Sequence, residues 1–164
     1  MTATKLLWKA AEIRSRERAY AQRLNPDSHF TGTGLSRLAG MKRAHVTIAR
    51  IPPGKDSFAY HAHLVEEEWV YILSGEGVAE IDGAEHAVGP GDFMGFPTPS
   101  VAHLLKNRGR EDLVYLMGGE DAPVDVIDYP HLGKRYVLLP TAKGTEFYEL
   151  GEPIKPFGPA DRDA

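Results

Sequence analysis

The chain has no cysteine. Disulfide staples, thiolate metal sites, zinc ribbons and cysteine nucleophiles are excluded together. It also lacks a marked excess of either charge. Lys and Arg number 19 against 23 Asp and Glu, for a formal net charge of −4, so nothing electrostatic points to nucleic acid. No stretch approaches the ~18 apolar residues of a membrane span. The apolar patch Leu6-Leu7-Trp8 is interrupted by Lys9 and Glu12 and is too short for the core of a signal peptide. These absences predict a cytoplasmic protein with neither nucleic acid nor membrane as partner. What is present narrows the class further. Seventeen Gly and 12 Pro are too many for a helical bundle, and 42% apolar residues is too many for a disordered chain. A length of 164 residues suits one hydrophobic core, so residues 1–164 read as a single domain.

Three zones differ in texture. Residues 1–43 form an N-terminal arm. Within it Leu6, Ala10, Ile13, Tyr20 and Leu24 fall roughly at helical spacing, broken by Arg16 and Glu17, and Pro26 ends the run. A short helix or clamp-like arm is expected there. Residues 44–120 are the barrel core. Val46–Ile51, Trp69–Leu73 and Leu113–Met117 are β-branched and aromatic runs separated by turn signals, which predicts an all-β sandwich or barrel. Asp82-Gly83 between Val78–Ile81 and Glu85–Val88 is a two-residue hairpin signal. Residues 121–164 form a C-terminal extension packing on the barrel. It holds two further candidate strands, Val124–Ile127 and Tyr136–Leu139, and a tail marked by Pro153, Pro156 and Pro159.

The chemistry lies in the middle zone. His61 and His63 are one residue apart, so on a strand both imidazoles face the same way. Glu68 opens the strand-like run Trp69–Leu73, and His103 stands in the apolar run Val101–Leu105. Three imidazoles and a carboxylate buried together are costly unless something pairs with them. A divalent cation satisfies all four. Imidazole donors suit Zn, Fe, Mn, Ni or Co and argue against Ca or Mg. Four protein ligands would leave two positions of an octahedral site for water or substrate.

The spacing carries a resemblance. Gly54, six residues, His61-x-His63, four residues, Glu68, six residues, Gly75 resembles the first cupin motif; Gly91, five residues, Pro97, then His103, three residues, Asn107 resembles the second. With the flanking strands it covers about half the chain. The resemblance implies a cupin double-stranded β-helix, that is, a jelly-roll barrel. His61, His63, Glu68 and His103 would be the ligands of one divalent transition metal ion (Zn, Mn, Fe or Ni). Gly75, Gly91 and Pro97 would be turn residues and Asn107 structural. Two departures fall in loops at the barrel mouth: one extra residue between Gly54 and His61, and Pro99 with one extra residue in place of the usual Gly-x-x before His103. The wider pattern, including Pro52-Pro53-Gly54-Lys55 and Asp128-Tyr129-Pro130-x-x-Gly133-Lys134, is similar to single-domain bacterial cupins labelled provisionally as sugar-phosphate isomerases.

His29, His45, His86 and His131 match no motif position and are assigned nothing. Glu66 and Glu67 read as a solvated acidic turn, with Glu67 the substitute ligand if the loop is one residue tighter. Alternation puts Val70 and Ile72 on the face of Glu68, and Val101, Leu105 and Asn107 inward with His103. Phe58, Tyr60, Phe96, Tyr115 and Met117 are candidates for the pocket mouth or for plain core. Arg50 could steer an anion or be a solvated edge, and no second Lys/Arg cluster marks a phosphate site. Trp69, Tyr71 and Leu73 would leave an apolar outer face, which predicts a homodimer. Three functions remain open for a small-molecule ligand: a Lewis-acid enzyme of isomerase or lyase type in which Glu68 or bound water moves a proton, an Fe-dependent dioxygenase, or a non-catalytic binding module.

Overall fold

The computed structural model describes residues 5–141 and 144–152; the proline-marked tail falls outside them. The first strands are β1 (Arg18–Tyr20), β2 (Phe30–Gly34) and β3 (Ala44–Ile51). The motif region holds β4 (Ala62–His63), β5 (Glu68–Ser74), β6 (Gly77–Ile81), β7 (Ala84–Val88), β8 (Phe93–Phe96) and β9 (His103–Lys106). After these come β10 (Leu113–Glu120), β11 (Asp125–Tyr129), β12 (Lys134–Thr141) and β13 (Gly144–Leu150). Among the described residues helix is confined to α1 (Ala10–Arg14), α2 (Leu35–Leu38) and one 3-10 turn, Pro130–Leu132. No helix among the described residues is long and apolar enough to cross a membrane.

Among the described residues all strand pairs are antiparallel, and they make three sheets. Six strands run in the order β1-β2-β3-β10-β5-β8, four in the order β13-β12-β11-β4, and three in the order β7-β6-β9. The two smaller sheets are joined by a single antiparallel bridge, His61 to His103. The six-stranded sheet therefore faces a composite second layer whose seam is made by two of the candidate ligands. This is the expected all-β jelly roll. The interior is divided along its length. Ile51, Ile72, Leu113 and Tyr115, each at most 1% exposed, anchor a packed core at one end. The other end is open and holds the polar groups.

Local chemistry explains the elements. Asp82 and Gly83 both take positive φ, 49° and 75°, as a two-residue hairpin turn requires, and β6 pairs with β7 directly across it. Both candidate strands of the extension form, as β11 and β12, and β13 adds a third. The N-terminal stripe forms only the five-residue α1. Where Arg16 and Glu17 interrupt it, the chain turns into β1, which extends the large sheet; Tyr20 stacks on Phe30 with ring centroids 5.2 Å apart, and Glu17 pairs with Arg50. Pairing to a sheet edge outcompetes a helix whose apolar face is broken.

Candidate metal centre

The open end is built from one row of residues across the large sheet. On β3, His45, Thr47, Ala49 and Ile51 alternate onto one face, and the last two are buried in the core. β10 lies between β3 and β5, and its Gly119 is opposite both His45 and Glu68. Glu68 is in turn opposite Phe96 of β8. A Cβ on Gly119 would lie 2.2 Å from the Glu67 carbonyl oxygen, so only glycine lets the strands close here. The histidines come from the facing layer. His63 pairs with Ile127 of β11, and His61 and His103 exchange backbone hydrogen bonds across the seam.

Glu68 Oε2 is the point of convergence. It lies 3.2 Å from His63 Nε2, 3.2 Å from His103 Nε2 and 3.9 Å from His61 Nε2. Donors bonded at ~2.1 Å to one ion are separated by about 3.0 Å at right angles and about 3.4 Å at tetrahedral angles, so the two 3.2 Å spacings suit a shared cation and the His61 spacing of 3.9 Å is wider than either. Each histidine Nδ1 faces away from the centre. His61 Nδ1 donates to the Ala59 carbonyl at 2.8 Å, His103 Nδ1 to the Val101 carbonyl at 3.2 Å, and His63 Nδ1 to the Asp125 carboxylate. All three Nε2 atoms are thereby presented inward. His63 Nε2 is fully buried with no hydrogen-bond partner among the described residues, an orphan that a metal would satisfy. His61, His63 and Glu68 form a group able to hold a metal ion, and His103, though it reaches the same carboxylate oxygen at 3.2 Å, stands outside that group.

The titration pattern fits one positive charge at this point. Burial, helped by His103, pulls His61 down to about 3. Burial would lower His63 too, but Asp125 and Glu68 outweigh it and push it up to about 10. Burial would raise Glu68, yet the hydrogen bond with His103 and the nearby charge of His63 hold it well below the usual carboxylate range. Asp125 is likewise held down by His63 against its own burial.

A cavity of about 570 Å³ opens beside the cluster, lined by His61, His63, Glu68, Phe58, Met117 and Tyr129 among others. The structure adds residues that motif spacing could not supply. Asp125, 2% exposed, orients His63 and also accepts the backbone N–H groups of Val65 and Glu66 at 3.1 and 3.4 Å; the signal was a lone acid within the run Val124–Ile127. His45, set aside in the sequence, lines the cavity with Nε2 3.8 Å from Glu68 Oε1. Glu66 is a half-buried wall residue whose Oε1 accepts from the Ala122 N–H at 2.7 Å, whereas Glu67 is exposed and no ligand substitute is needed.

Between the remaining alternatives the structure decides, and one expectation, Val101 inward, is corrected. Arg50 alternates away from the interior and pairs with Glu17 at 2.9 Å and Asp112 at 3.8 Å, so it does not face the cavity. Val101 is 46% exposed, because β9 begins only at His103 and alternation cannot be extended back into the loop. Leu105 and Asn107 are buried, with Leu104 beside them. Tyr60, Phe96 and Tyr115 are packing residues. Tyr60 Oη accepts from the Gly83 N–H, Phe96 stacks on His103 at 3.7 Å, and Tyr115 belongs to the core. Val70 and Ile72 continue the Glu68 face into that core.

Comparison with known proteins follows the same lines. A family model described as a cupin domain matches residues 47–119. A structure from Acidithiobacillus ferrooxidans, provisionally called a sugar phosphate isomerase, is 35% identical with a TM-score of 0.81, over 88% of this chain and 92% of that one. A sugar phosphate isomerase from a cupin superfamily of Silicibacter pomeroyi is 26% identical with a TM-score of 0.72, over 85% and 90%. An oxalate-binding protein of Thermotoga maritima is 37% identical over 67 residues, 41% of this chain. The chain spans about half, 54%, of the length of that curated relative.

Proposed function

The chain belongs to the cupin family, and from that premise we propose that it is a cytoplasmic metal-dependent enzyme acting on a sugar or sugar phosphate by isomerase- or lyase-like chemistry. The observation that carries this reading is the convergence of three inward Nε2 atoms on one carboxylate oxygen beside a cavity of small-molecule size. A divalent ion held by His61, His63, Glu68 and His103, of the Zn, Mn, Fe or Ni type, would supply Lewis-acid polarisation of a substrate carbonyl.

The protein's own groups account for the rest. Asp125 fixes the His63 ring, and the Ala59 and Val101 carbonyls fix the other two. Glu68 Oε2 is engaged by His63 and His103, which leaves it poorly placed to carry protons. That role falls to His45. Its Nδ1 lies 2.8 Å from the Glu120 carbonyl, which can only accept, so the ring hydrogen is on Nδ1 and the Nε2 lone pair faces the cavity. In an aldose–ketose interconversion His45 would take a proton from the carbon beside the carbonyl and return it to the former carbonyl carbon, while the hydroxyl proton of the first carbon passes to the carbonyl oxygen, with no net change in redox state. Burial keeps the Tyr129 phenol protonated, its value raised to about 12, so this ring acts as a wall and a hydrogen-bond donor.

The test is metal-dependent turnover of aldose and ketose phosphates under anaerobic conditions with redox-inert Zn. Turnover that is abolished by chelation supports the proposal. Turnover only with Fe and with O₂ uptake transfers the site to dioxygenase chemistry, and tight binding without turnover makes it a binding module.

A further inference from the structure

At the corner where β2 passes through α2 into β3, one wall of the cavity carries hydrogen-bond donors in place of apolar side chains. Arg37, Ser36 and Thr47 all line the cavity there. Among the described residues no other lysine or arginine lines it, although the acids Glu66, Glu68, Asp121 and Asp125 do. Asp125 and Glu68 are matched by histidines, and Glu66 is tied to a backbone N–H. No carboxylate among the described residues is within ion-pair distance of the Arg37 guanidinium, Asp121 included. An exposed arginine is unremarkable on an outer surface. Here its stem runs over Gly34, within 3.7–3.8 Å of where a Cβ would stand, and Gly34 is the register partner of Thr47. The stem of this exposed side chain is therefore packed at the cavity lip, beside the face of β3 that also presents His45.

Ser36 adds a buried donor. It is 3% exposed, and its Oγ accepts the Val46 N–H at 3.0 Å. That bond uses a lone pair and leaves the hydroxyl hydrogen without an acceptor among the described residues. The Thr47 hydroxyl, two residues along β3 from His45, has no hydrogen-bond partner among the described residues either. A guanidinium and two hydroxyl donors on one wall, with no acceptor of their own, is the complement of an oxyanion. The backbone positions of Gly34 and Val70 are three strand spacings apart, roughly 14 Å, so an anion at this wall and a carbonyl at the Glu68 cluster belong to opposite ends of one extended molecule.

We propose that Arg37, with Ser36 and Thr47, forms an oxyanion subsite that selects substrates bearing a phosphate or carboxylate at the end remote from the metal centre. The inference rests on the proposed metal-dependent reading, because the other end of the substrate is held at that cluster. It also makes Arg37 a specificity-determining residue, one that recognises the anionic end of the substrate and not its reacting carbons.

The experiment is calorimetric titration of the full-length, metal-loaded protein with three probes: fructose 6-phosphate, galacturonate and fructose. Wild type should bind at least one anionic probe about tenfold or more tightly than fructose, and preference between the two anions identifies phosphate or carboxylate as the recognised group. Arg37→Gln should lose about tenfold in affinity for that anion, with metal content and fructose binding unchanged, and Arg37→Lys should recover part of the loss. Metal-loaded wild type that takes none of the probes, or takes fructose as well as either anion, overturns the subsite alone. So does an Arg37→Gln variant with undiminished anion affinity. Wild type that takes up no metal overturns the proposed function and this inference with it.

Discussion

Each imidazole at the centre has one nitrogen held by an outward acceptor and one turned in, and the acceptors are not equivalent. His61 and His103 lean on backbone carbonyls, which no substitution removes. His63 leans on a side chain, Asp125, which is buried and also receives two backbone N–H groups. That carboxylate sets the ring orientation and its basicity together. Asp125→Asn must aim an amide N–H either at His63 or at the Val65 and Glu66 donors, and it loses the charge. We expect metal affinity to fall by about 10–100-fold with the barrel still folded, as read by competition with a chromophoric chelator. An unchanged affinity would show that the backbone alone orients the site. The four ligand candidates were legible in the sequence because they lie within one continuous motif region. Asp125, His45 and Arg37 were not, since each is delivered by a strand or helix outside it, and only long-range register brings them to the cavity.

Strand register is what places His45 beside Glu68. The two are 23 residues apart in the chain yet flank a single residue of the intervening strand, Gly119. Alternation correctly placed Ile72 on the Glu68 face and Tyr71 on the other, because both belong to one long strand. It failed at Val101, where the strand had not yet begun. The Asp82-Gly83 turn was readable because the two residues that need positive φ are adjacent in sequence. The need for glycine at 119 was hidden, because the atom it avoids is the Glu67 carbonyl just before the neighbouring strand β5. Gly119→Ala forces that backbone contact open. It should cost about 3 kcal/mol of stability, measured by urea denaturation, and should reduce metal uptake by shifting Glu68. A variant as stable as wild type would mean that β5 and β10 can separate at this point without consequence.

The whole molecule presents two surfaces of different character. One is the cavity end. The other is the outer face of β5 and β8, where Tyr71 and Leu73 are each 39% exposed and Phe93 is 65% exposed. Trp69 lies over Gly118 and against Phe93, 6.5 Å between ring centroids, so it forms the floor of this patch. A cluster of this kind is expected to be covered by a second copy through a two-fold axis. Light scattering at micromolar concentration should then give about twice the 18.1 kDa chain mass, and Phe93→Glu should return it to the monomer value. A wild-type mass equal to one chain would contradict the dimer and leave the metal centre untouched.

The central claim is that the cluster at the seam binds a metal ion, and elemental analysis of tag-free protein tests it most directly. After exposure to Zn, Mn, Fe or Ni and exhaustive dialysis, wild type should retain about one ion per chain. His103→Ala removes one of the four donors and should retain markedly less, with a circular dichroism spectrum still of β type. Wild-type protein that retains no ion with any of these metals would contradict the account.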